Sequence, residues 1–279
     1  MKPGLYIVST PIGNLEDVTI RALEVLKGVD IIACEDTRTT KKLLSRYAVT
    51  KPLTSYHEHN EIEKANELVS LLEGGKSVAL VSDAGTPGVS DPGYRLVKLA
   101  SDRGIEVYSV PGPSAVVAAL SVSGLPTDSF AFFGFPPRTK KALDDYFKRI
   151  KDYPETLIFY ESPKRVLKTL GVMLGVFGDR NIAIVRELTK LYEESVRGRI
   201  SDVIRVLDGR RQIKGEITVV VEGASESKGE IDLKAIDDYL TELKKKGATL
   251  KDAVKDVSEM SGYSKSKTYK RALQIWGND

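Results

Sequence analysis

Residues 78–93 read VALVSDAGTPGVSDPG, an apolar run long enough for a buried strand followed by a loop of glycine, proline and small polar residues. Two other apolar runs end in similar loops, STPIGN at 9–14 and VPGPSA at 110–115. Ligands of open α/β sheets bind outside the carboxyl ends of the strands. Glycine lets the backbone approach a ligand closely, and the amides that start a helix after Pro113 can bind a carboxylate. The three loops together predict a small-molecule site, although ordinary βα turns explain any one of them.

Short apolar runs alternate with segments of helical period, which is an α/β pattern. Residues 17–27 and 60–73 each place apolar side chains on one helical face, and Asn60 with Glu63 predicts a cap for the second of these helices. The predicted strands are 5–9, 30–34, 78–82, 107–110, 130–133, 156–160, 182–185 and 217–221. The predicted buried faces are Val18, Ala22, Val25 and Leu26 in the first helix, and Ile62, Ala65, Val69 and Leu72 in the second.

Two changes of composition predict the domain boundaries. Turn-forming residues at 121–129 (SVSGLPTDS) indicate two α/β domains, residues 1–122 and 123–224. The small polar stretch at 223–230 (GASESKGE) is typical of a linker. Helical periodicity without any strand-like run follows at 232–246, 250–260 and 265–276, so we expect a helical appendage over residues 230–279.

The bulk composition excludes several classes of protein. Hydrophobic residues make up 41% and charged residues 29%, and no stretch reaches the about 20 apolar residues of a membrane span. The strand-like run at 5–9 follows Met1 so closely that we expect no signal peptide and a cytoplasmic location. Cys34 is the single cysteine and His57 and His59 are the two histidines, so an internal disulfide is excluded and no metal is expected.

None of the glycine-rich loops matches a standard nucleotide-binding fingerprint. The sequence has no G-x-G-x-x-G between a strand and a helix and no G-x-x-x-x-G-K-[ST]. It also lacks the G-x-S-x-G elbow of the α/β-hydrolases. Dinucleotide-dependent enzymes, P-loop NTPases and serine hydrolases are therefore disfavoured.

A series of motifs runs in order through nearly the whole chain. They are YIVSTPIGNLEDVTIRALEVL at 6–26, EDTR at 35–38, SDAGTPGVSDPG at 82–93, VPGPSA at 110–115, GLPTD at 124–128, FYESPKR at 159–165, RELTK at 186–190 and GEITVVVEG at 215–223. Together they resemble the ribosomal RNA small subunit methyltransferase I family, which has the tetrapyrrole-methylase fold.

This resemblance implies two α/β domains of the tetrapyrrole-methylase type with S-adenosylmethionine in the interdomain cleft, plus the small C-terminal helical domain. It also implies a homodimer and methylation of a cytidine 2'-hydroxyl in the decoding region of 16S ribosomal RNA. Corrin and siroheme methylases usually carry Gly-Asp-Pro where this chain has Ser82-Asp83-Ala84, which favours the ribosomal branch. The implied cofactor contacts are Pro11, Ile12, Ser82, Asp83, Thr86, Ser114, Ala115, Glu161, Leu188 and Ile217.

Methyl transfer from a sulfonium is an in-line displacement, which requires the nucleophile and the methyl carbon about 3 Å apart in a dry cleft. A ribose hydroxyl is a poor nucleophile, so a base, or a cation that favours the alkoxide, assists it. The candidate catalytic residues are Glu35, Asp36, Arg38, Glu187 and Lys190. Helix capping with a local ion pair explains the first three equally well, and a solvated strand end explains the other two.

Two groups of basic residues predict contacts with RNA phosphates. The segments 250–260 and 265–276 resemble a helix-turn-helix, and residues 244–271 hold nine basic residues against three acidic ones. We expect Ser264 to cap the second of these helices, with Tyr269, Ala272, Leu273 and Trp276 in a small core. A solvated helix face explains the first group equally well, and a solvated basic tail that aids packing or solubility is the alternative for the second. The candidate RNA contacts are Arg138, Lys140, Lys141, Lys164 and Arg165 in the first group and Lys265, Lys267, Lys270 and Arg271 in the second.

Two other functions remain open at this point: a methylase of tetrapyrroles or other small molecules, and a non-catalytic RNA-binding protein. The basic helical appendage favours RNA over a porphyrin, and the intact loop motifs favour a working cofactor site. The predicted partner is therefore 16S ribosomal RNA or the 30S subunit.

Overall fold

The computed structural model of the protein describes residues 1–224, 233–261 and 263–277. The chain forms two compact units, Met1–Gly223 and Ala224–Asp279. The first unit holds both β-sheets, and the second is helical over its described residues. Most of the predicted linker, residues 225–230, lies outside the described residues, as does residue 232 of the first predicted C-terminal helix.

The first sheet consists of five parallel strands in the order β3-β2-β4-β1-β5. Because the strands are parallel, their carboxyl ends meet at one edge, where β1 lies between β4 and β5. The strands are β1 (Gly4–Val8), β2 (Ile31–Cys34), β3 (Leu53–Ser55), β4 (Ser77–Val81) and β5 (Val107–Val110). The helices between and after them are α1 (Ile20–Gly28), α2 (Thr37–Arg46), α3 (Glu61–Glu73), α4 (Tyr94–Asp102) and α5 (Ala115–Ser123).

The second sheet is mixed and has the order β6-β7-β10-β8-β9. β6 pairs parallel to β7, whereas the other three pairs are antiparallel. Its strands are β6 (Phe130–Phe132), β7 (Thr156–Glu161), β8 (Asn181–Arg186), β9 (Glu194–Arg199) and β10 (Ile217–Val221). The helices of this part are α6 (Lys140–Ile150), α7 (Val166–Phe177) and α8 (Ile200–Asp208).

Helices cover both faces of both sheets. One face of the first sheet packs against α1 and α2 and the other against α3 and α4. In the second sheet, α6, α7 and α8 cover one face, and the opposite face packs against α5, which precedes the predicted domain boundary. Val116 and Leu120 of α5 contact a cluster that includes Ile158 and Val220. This helix ties the two sheets into one unit, so the division into residues 1–122 and 123–224 stays a prediction.

Several details of the sequence-based secondary structure differ from the structure. Val18, predicted on the buried face of the first helix, precedes α1 and is half-buried. Asn60 precedes α3 but does not cap it, because its side chain bonds to Ser55 and to the His57 amide. Ile62, predicted to be buried, is 67% exposed, and Leu68 takes its place in the core. The strands β3 and β9 were missed because LTS at 53–55 has a single apolar residue and ESVRGR has no apolar alternation.

The helical unit contains α9 (Leu233–Lys245), α10 (Leu250–Ser261) and α11 (Lys265–Trp276). Its core includes Ile236, Leu240, Ala253, Val254, Val257 and Ala272, with Trp276 packed at the margin. Tyr269 and Leu273 were wrongly placed in this core, because α11 turns Thr268 inward to bond Ser258 and leaves both of them 46% exposed. Ser264 lies at the start of α11, but its hydroxyl makes no capping bond, so that prediction is also wrong.

Candidate active site

The loops after β1 and β4 are joined into one platform. Thr10 and Gly85 exchange backbone hydrogen bonds of 2.8 and 3.0 Å, and the hydroxyls of Ser9 and Thr86 are 2.8 Å apart. Gly85 has a φ of +81°, a conformation that favours glycine. Two of the three loops singled out in the sequence therefore meet through main-chain contacts.

The loop after β4 closes on itself at two glycines. A Cβ on Gly93 would lie 2.8 Å from the amide nitrogen of Gly88, so only glycine fits at this contact. The closure returns the chain toward the platform, and Asp91 between the two glycines lines a cavity there. Ser114 and Ala115, at the start of α5, line the same cavity and bring in the third loop.

A loop of the second sheet approaches this platform from the end of β8. A Cβ on Gly13 would lie 2.6 Å from the Lys190 side chain, and the Asn14 amide donates to the Thr189 hydroxyl over 3.0 Å. Glu187 and Thr189 have φ values of +53° and +63°, which cost a non-glycine residue free energy. Strained backbone of this kind clusters at functional sites, and here it lies beside the loop after β1.

The cavity between these loops has a volume of about 320 Å³. This volume lies at the lower end of the range of about 300–1,000 Å³ that is usual for ligand pockets. Loops of both sheets contribute to its wall, an arrangement that the family resemblance implies for the cofactor site. The lining residues are Ile12, Ala84, Gly85, Thr86, Val89, Ser90, Asp91, Ser114, Ala115, Phe135, Tyr160, Glu161, Ser162, Pro163, Val185, Leu188, Gly215, Glu216, Ile217 and Thr218.

Seven of the ten predicted cofactor residues belong to this lining, namely Ile12, Thr86, Ser114, Ala115, Glu161, Leu188 and Ile217. The other three lie just behind or beside it. Pro11 is buried next to Ile12, and the Ser82 hydroxyl donates to the carbonyl of Ala84. Asp83 is exposed and accepts a hydrogen bond of 3.1 Å from the amide of Asp36. The role of all ten residues in cofactor binding stays a prediction.

Burial and mutual repulsion perturb the carboxyl groups around the cavity. Desolvation and the charge of Glu35 raise the pKa of Asp91 to about 6, although a hydrogen bond from Ser82 acts to lower it. Desolvation, followed by the charge of Asp83, also raises the pKa of Glu35, and desolvation raises that of Asp83 itself. The pKa of Tyr160 rises to about 12 through burial and through its acidic neighbours Asp91 and Glu216. This side of the cavity therefore favours a positively charged ligand.

Glu161 is a buried carboxylate with three partners. Its oxygens accept hydrogen bonds from the Ser162 amide over 2.7 Å and from the Thr169 hydroxyl over 2.6 Å. The guanidinium of Arg165 lies 3.2 Å away. Each of these contacts offsets part of the desolvation cost of the charge. Glu161 is therefore held in one position in the cavity wall.

The five predicted catalytic residues lie outside the cavity lining, in two groups. Asp36 caps α2 by accepting from the amide of Arg38, and the Arg38 guanidinium pairs with the same carboxylate. Those bonds to Arg38 lower the pKa of Asp36 to about 2, and Glu35 lies beside it. In the other group, Lys190 is 2.9 Å from Glu187 and 3.0 Å from Glu216, of which Glu216 lines the cavity. Their catalytic roles stay predictions.

The predicted RNA contacts divide into side chains that are exposed and side chains that are bonded within the protein. Arg165 donates to the carbonyls of Pro136 and Pro137, and Arg271 donates to Asp237 over 2.7 Å. Both guanidiniums are thus already engaged within the protein. The exposed members are Arg138, Lys140, Lys141 and Lys164 in the first unit and Lys265, Lys267 and Lys270 in the second.

Comparison with known proteins defines the family. Residues 4–204 match the model of the tetrapyrrole (corrin/porphyrin) methylases. The chain is also 46% identical over 276 residues to the ribosomal RNA small subunit methyltransferase I of Mesorhizobium japonicum. The aligned region covers 99% of this chain and 93% of the relative. The chain belongs to this methyltransferase I family. The Bacillus subtilis protein of the same name is 44% identical over 95% of this chain and 92% of its own length.

Solved structures share the fold of this methyltransferase. A diphthine synthase superposes with a TM-score of 0.61 at 14% identity, over 78% of this chain and 89% of that structure. The uroporphyrin-III-C-methyltransferase of Thermus thermophilus gives a TM-score of 0.53 at 22% identity, over 80% and 93% of the two chains. The predicted tetrapyrrole-methylase fold is thereby confirmed, and so is the predicted methyl donor of this family, S-adenosylmethionine.

The cavity of this methyltransferase suits that donor. Asp91, which is half-buried and carries the desolvation cost of its charge, matches a ligand with a positive sulfonium or ammonium group. Ile12, Leu188 and Ile217 provide apolar wall for the uncharged part of the molecule. The hydroxyls of Thr86, Ser114, Ser162 and Thr218 stand among them as hydrogen-bonding groups.

Sequence reasoning missed several residues of this cavity. Asp91 lies inside a quoted motif, but only the closure of its loop at the two glycines shows that it reaches the cavity. Phe135 and Tyr160 were also overlooked, because an aromatic residue beside a strand is typical of a core. The signal that points to Phe135 is its place in GFPPR at 134–138, between a glycine and two prolines. Among the described residues, no cluster of acidic, histidine or cysteine side chains is arranged to hold a metal.

Proposed function

We propose that this protein transfers a methyl group from S-adenosylmethionine to the ribose 2'-hydroxyl of a cytidine in the decoding region of 16S ribosomal RNA. The proposal of an RNA substrate is supported by the 44–46% identity to proteins named ribosomal RNA small subunit methyltransferase I over 95–99% of the chain. The ribose oxygen and the cytidine rest on the family resemblance of the motifs. The proposed substrate also implies a cytoplasmic protein, and the resemblance implies a homodimer.

The bound donor supplies a methyl group on a positively charged sulfur. The chain's contribution is to exclude water, hold the hydroxyl in line and take up its proton. Asp91 is suited to that last step, because it lines the cavity and its pKa of about 6 is near the working pH. As the ribose oxygen takes up the methyl group that the donor supplies, the Asp91 carboxylate would accept the proton that the hydroxyl loses. Glu35 stays close enough to influence Asp91 through its charge.

The ion-pair cluster of Glu187, Lys190 and Glu216 supports the site from the second sheet. Lys190 bridges both carboxylates, and its hydrogen bond lowers the pKa of Glu187. The three side chains thus hold the loop after β8 and the start of β10 together. We assign them to positioning the cavity wall that Glu216 and Leu188 form.

A methyl-transfer assay tests the proposal. Tritiated S-adenosylmethionine is incubated with the protein and 30S subunits that lack the modification, and the labelled RNA is digested for mass spectrometry. We expect label in a 2'-O-methylated cytidine. A methylated base with an unmodified ribose would overturn the ribose assignment. Label transferred to a tetrapyrrole in a parallel reaction, with none in RNA, would favour a small-molecule methylase.

The lysines of α11 are proposed to contact RNA phosphates. Lys267 and Lys270 are exposed, so reversing their charges with Lys267→Glu and Lys270→Glu leaves the helical core untouched. Each lost contact is expected to reduce the slope of log affinity against log salt by about 0.7–0.9. Lys246→Glu is the matched control, because Lys246 is paired with Glu242. An unchanged slope in the double variant would show that α11 is not an RNA anchor.

A further inference from the structure

An exposed aromatic ring stands in the wall of the cavity. Phe135 lines the cavity and is 60% exposed, whereas most aromatic side chains of this size are buried. Its ring centroid is 5.5 Å from that of Tyr160, another lining residue, at a tilt of 57°. One face of the ring is therefore supported by protein while much of its surface remains open. Ring stacking with a ligand is one way to cover it.

The segment that carries the ring is fixed at both sides. The carbonyl of Gly134 accepts a hydrogen bond of 2.9 Å from the Tyr160 amide, and Gly134 has a φ of +62°. After the ring come Pro136 and Pro137, whose backbone φ angles are restricted by their own rings. An aromatic side chain on such a segment loses little freedom when it binds a ligand.

A guanidinium latches this segment to the buried carboxylate of the cavity wall. Arg165 donates to the carbonyl of Pro136 over 2.8 Å and to that of Pro137 over 3.0 Å. The same side chain is 3.2 Å from Glu161, which Thr169 holds from behind. The latch consists of Arg165, Glu161 and Thr169. It fixes the position of Phe135 relative to the cavity and leaves Arg165 little capacity for a phosphate.

We propose that Phe135 is the stacking platform for the base of the target nucleotide, an inference that rests on the proposed function. The minor groove of an RNA helix displays the 2'-hydroxyls, but a donor set inside a cavity is reached when the nucleotide projects from the stack. Unstacked bases of single-stranded RNA are commonly held against aromatic side chains. Here the ring stands at the cavity proposed for the methyl donor. Two exposed cations are placed to meet phosphates: Arg138 follows the ring by three residues, and Lys164 precedes Arg165, which bonds Pro136 and Pro137. Phe135 thus positions the base whose ribose reacts.

Three substitutions separate stacking from simple packing. Phe135→Ala removes the ring, Phe135→Leu keeps apolar volume without an aromatic face, and Phe135→Trp keeps the face. We expect the first two to lower kcat/KM for 30S subunits by about 5- to 150-fold, the range for one base stacked on an aromatic ring, and the third to retain most of it. Tyr94→Ala is the matched control, because Tyr94 is 70% exposed and lies outside the cavity lining.

A second readout does not depend on turnover. Trp276 is the single tryptophan of the chain, so Phe135→Trp in a Trp276→Phe background places the only indole at the cavity. After subtraction of the same titration with the indole-free Trp276→Phe protein, which removes the tryptophan signal and the absorbance of the subunits, its fluorescence is expected to be quenched when 30S subunits are added. The affinity for S-adenosylmethionine, measured by calorimetry, is expected to match that of the wild type.

Three results would overturn the stacking role. They are an unquenched indole, equal activity of Phe135→Leu and Phe135→Trp, and a loss of donor affinity in Phe135→Ala as large as its loss of kcat/KM. The last would assign the ring to the cofactor. Absence of RNA methylation by the wild-type protein would instead defeat the proposed function.

Discussion

Asp91→Asn is expected to stabilise the donor-free protein at pH 8. The folded environment raises the pKa of Asp91 to about 6, through burial first and the charge of Glu35 second. Between pH 4 and 6 the folded state therefore holds a proton that the unfolded state has released, and the free energy of unfolding falls as the pH rises. Above pH 6 the ionised carboxylate imposes its full cost, which the neutral amide avoids.

The size of the effect follows from the pKa. A rise of about two units corresponds to at most about 3 kcal/mol. Because the carboxyl keeps contact with solvent, screening reduces this to about 1–2 kcal/mol. The same substitution removes the proposed proton acceptor, so methyl transfer should fall while stability rises. Opposite changes in stability and activity are expected where a site keeps a destabilised charge for function.

Urea unfolding followed by circular dichroism measures this difference at pH 4, 5, 6 and 8. Trp276 fluorescence is unsuitable, because that residue belongs to the helical unit. The gain of Asp91→Asn should be largest at pH 8 and vanish near pH 4. Asp30→Asn is the control, and it should lower the free energy of unfolding at pH 8 rather than raise it. Hydrogen bonds from Ser77 lower the pKa of Asp30 to about 2, so the ionised form of Asp30 stabilises the fold. A pH-independent difference for Asp91→Asn would refute the reasoning.

Three further variants test the supports of the cavity. Gly215→Ala should lower the free energy of unfolding by about 1–3 kcal/mol in urea titrations, because Gly215 has a φ of +88° and its Cβ would overlap the Glu187 side chain. Thr169→Val should cost about 1–3 kcal/mol by the same measurement, since it removes a buried hydrogen bond to Glu161. Arg165→Lys keeps the charge but removes the planar guanidinium whose Nη2 donates to both carbonyls, so kcat/KM for 30S subunits should fall with little change in donor affinity. Unchanged kinetics in that last variant would argue against the latch.

The sequence indicated the position of the site because the site is made of loops at strand ends. Glycine and proline follow β1, β4 and β5, three of the five parallel strands, and parallel strands bring those ends to one edge. Ile12, Thr86 and Ser114, from three separate loops, do line one cavity. Periodicity likewise located the helical segments of the C-terminal unit to within a few residues.

The remaining features depend on contacts between distant residues. The close approach of Gly88 and Gly93 decides which acidic residue of the loop after β4 reaches the cavity. No local sequence pattern encodes the distance between these two glycines. The inward face of α11 is decided by the hydrogen bond between Ser258 and Thr268, so a polar residue is buried where hydrophobicity favoured Tyr269. β9 exists because its backbone pairs with β8, which compensates for its polar side chains.

The helix α5 has a consequence for how such a protein can be divided or recombined. It follows β5 of the first sheet in the chain, yet its apolar side packs on Ile158, Ala183, Val185 and Val220 of the second. A fragment that began at residue 123 would expose that patch to water and be prone to aggregate. A chimera of two relatives must therefore take α5 and the second sheet from the same parent. The workable crossover point lies near Ser114, before the helix, rather than in the turn-rich segment after it.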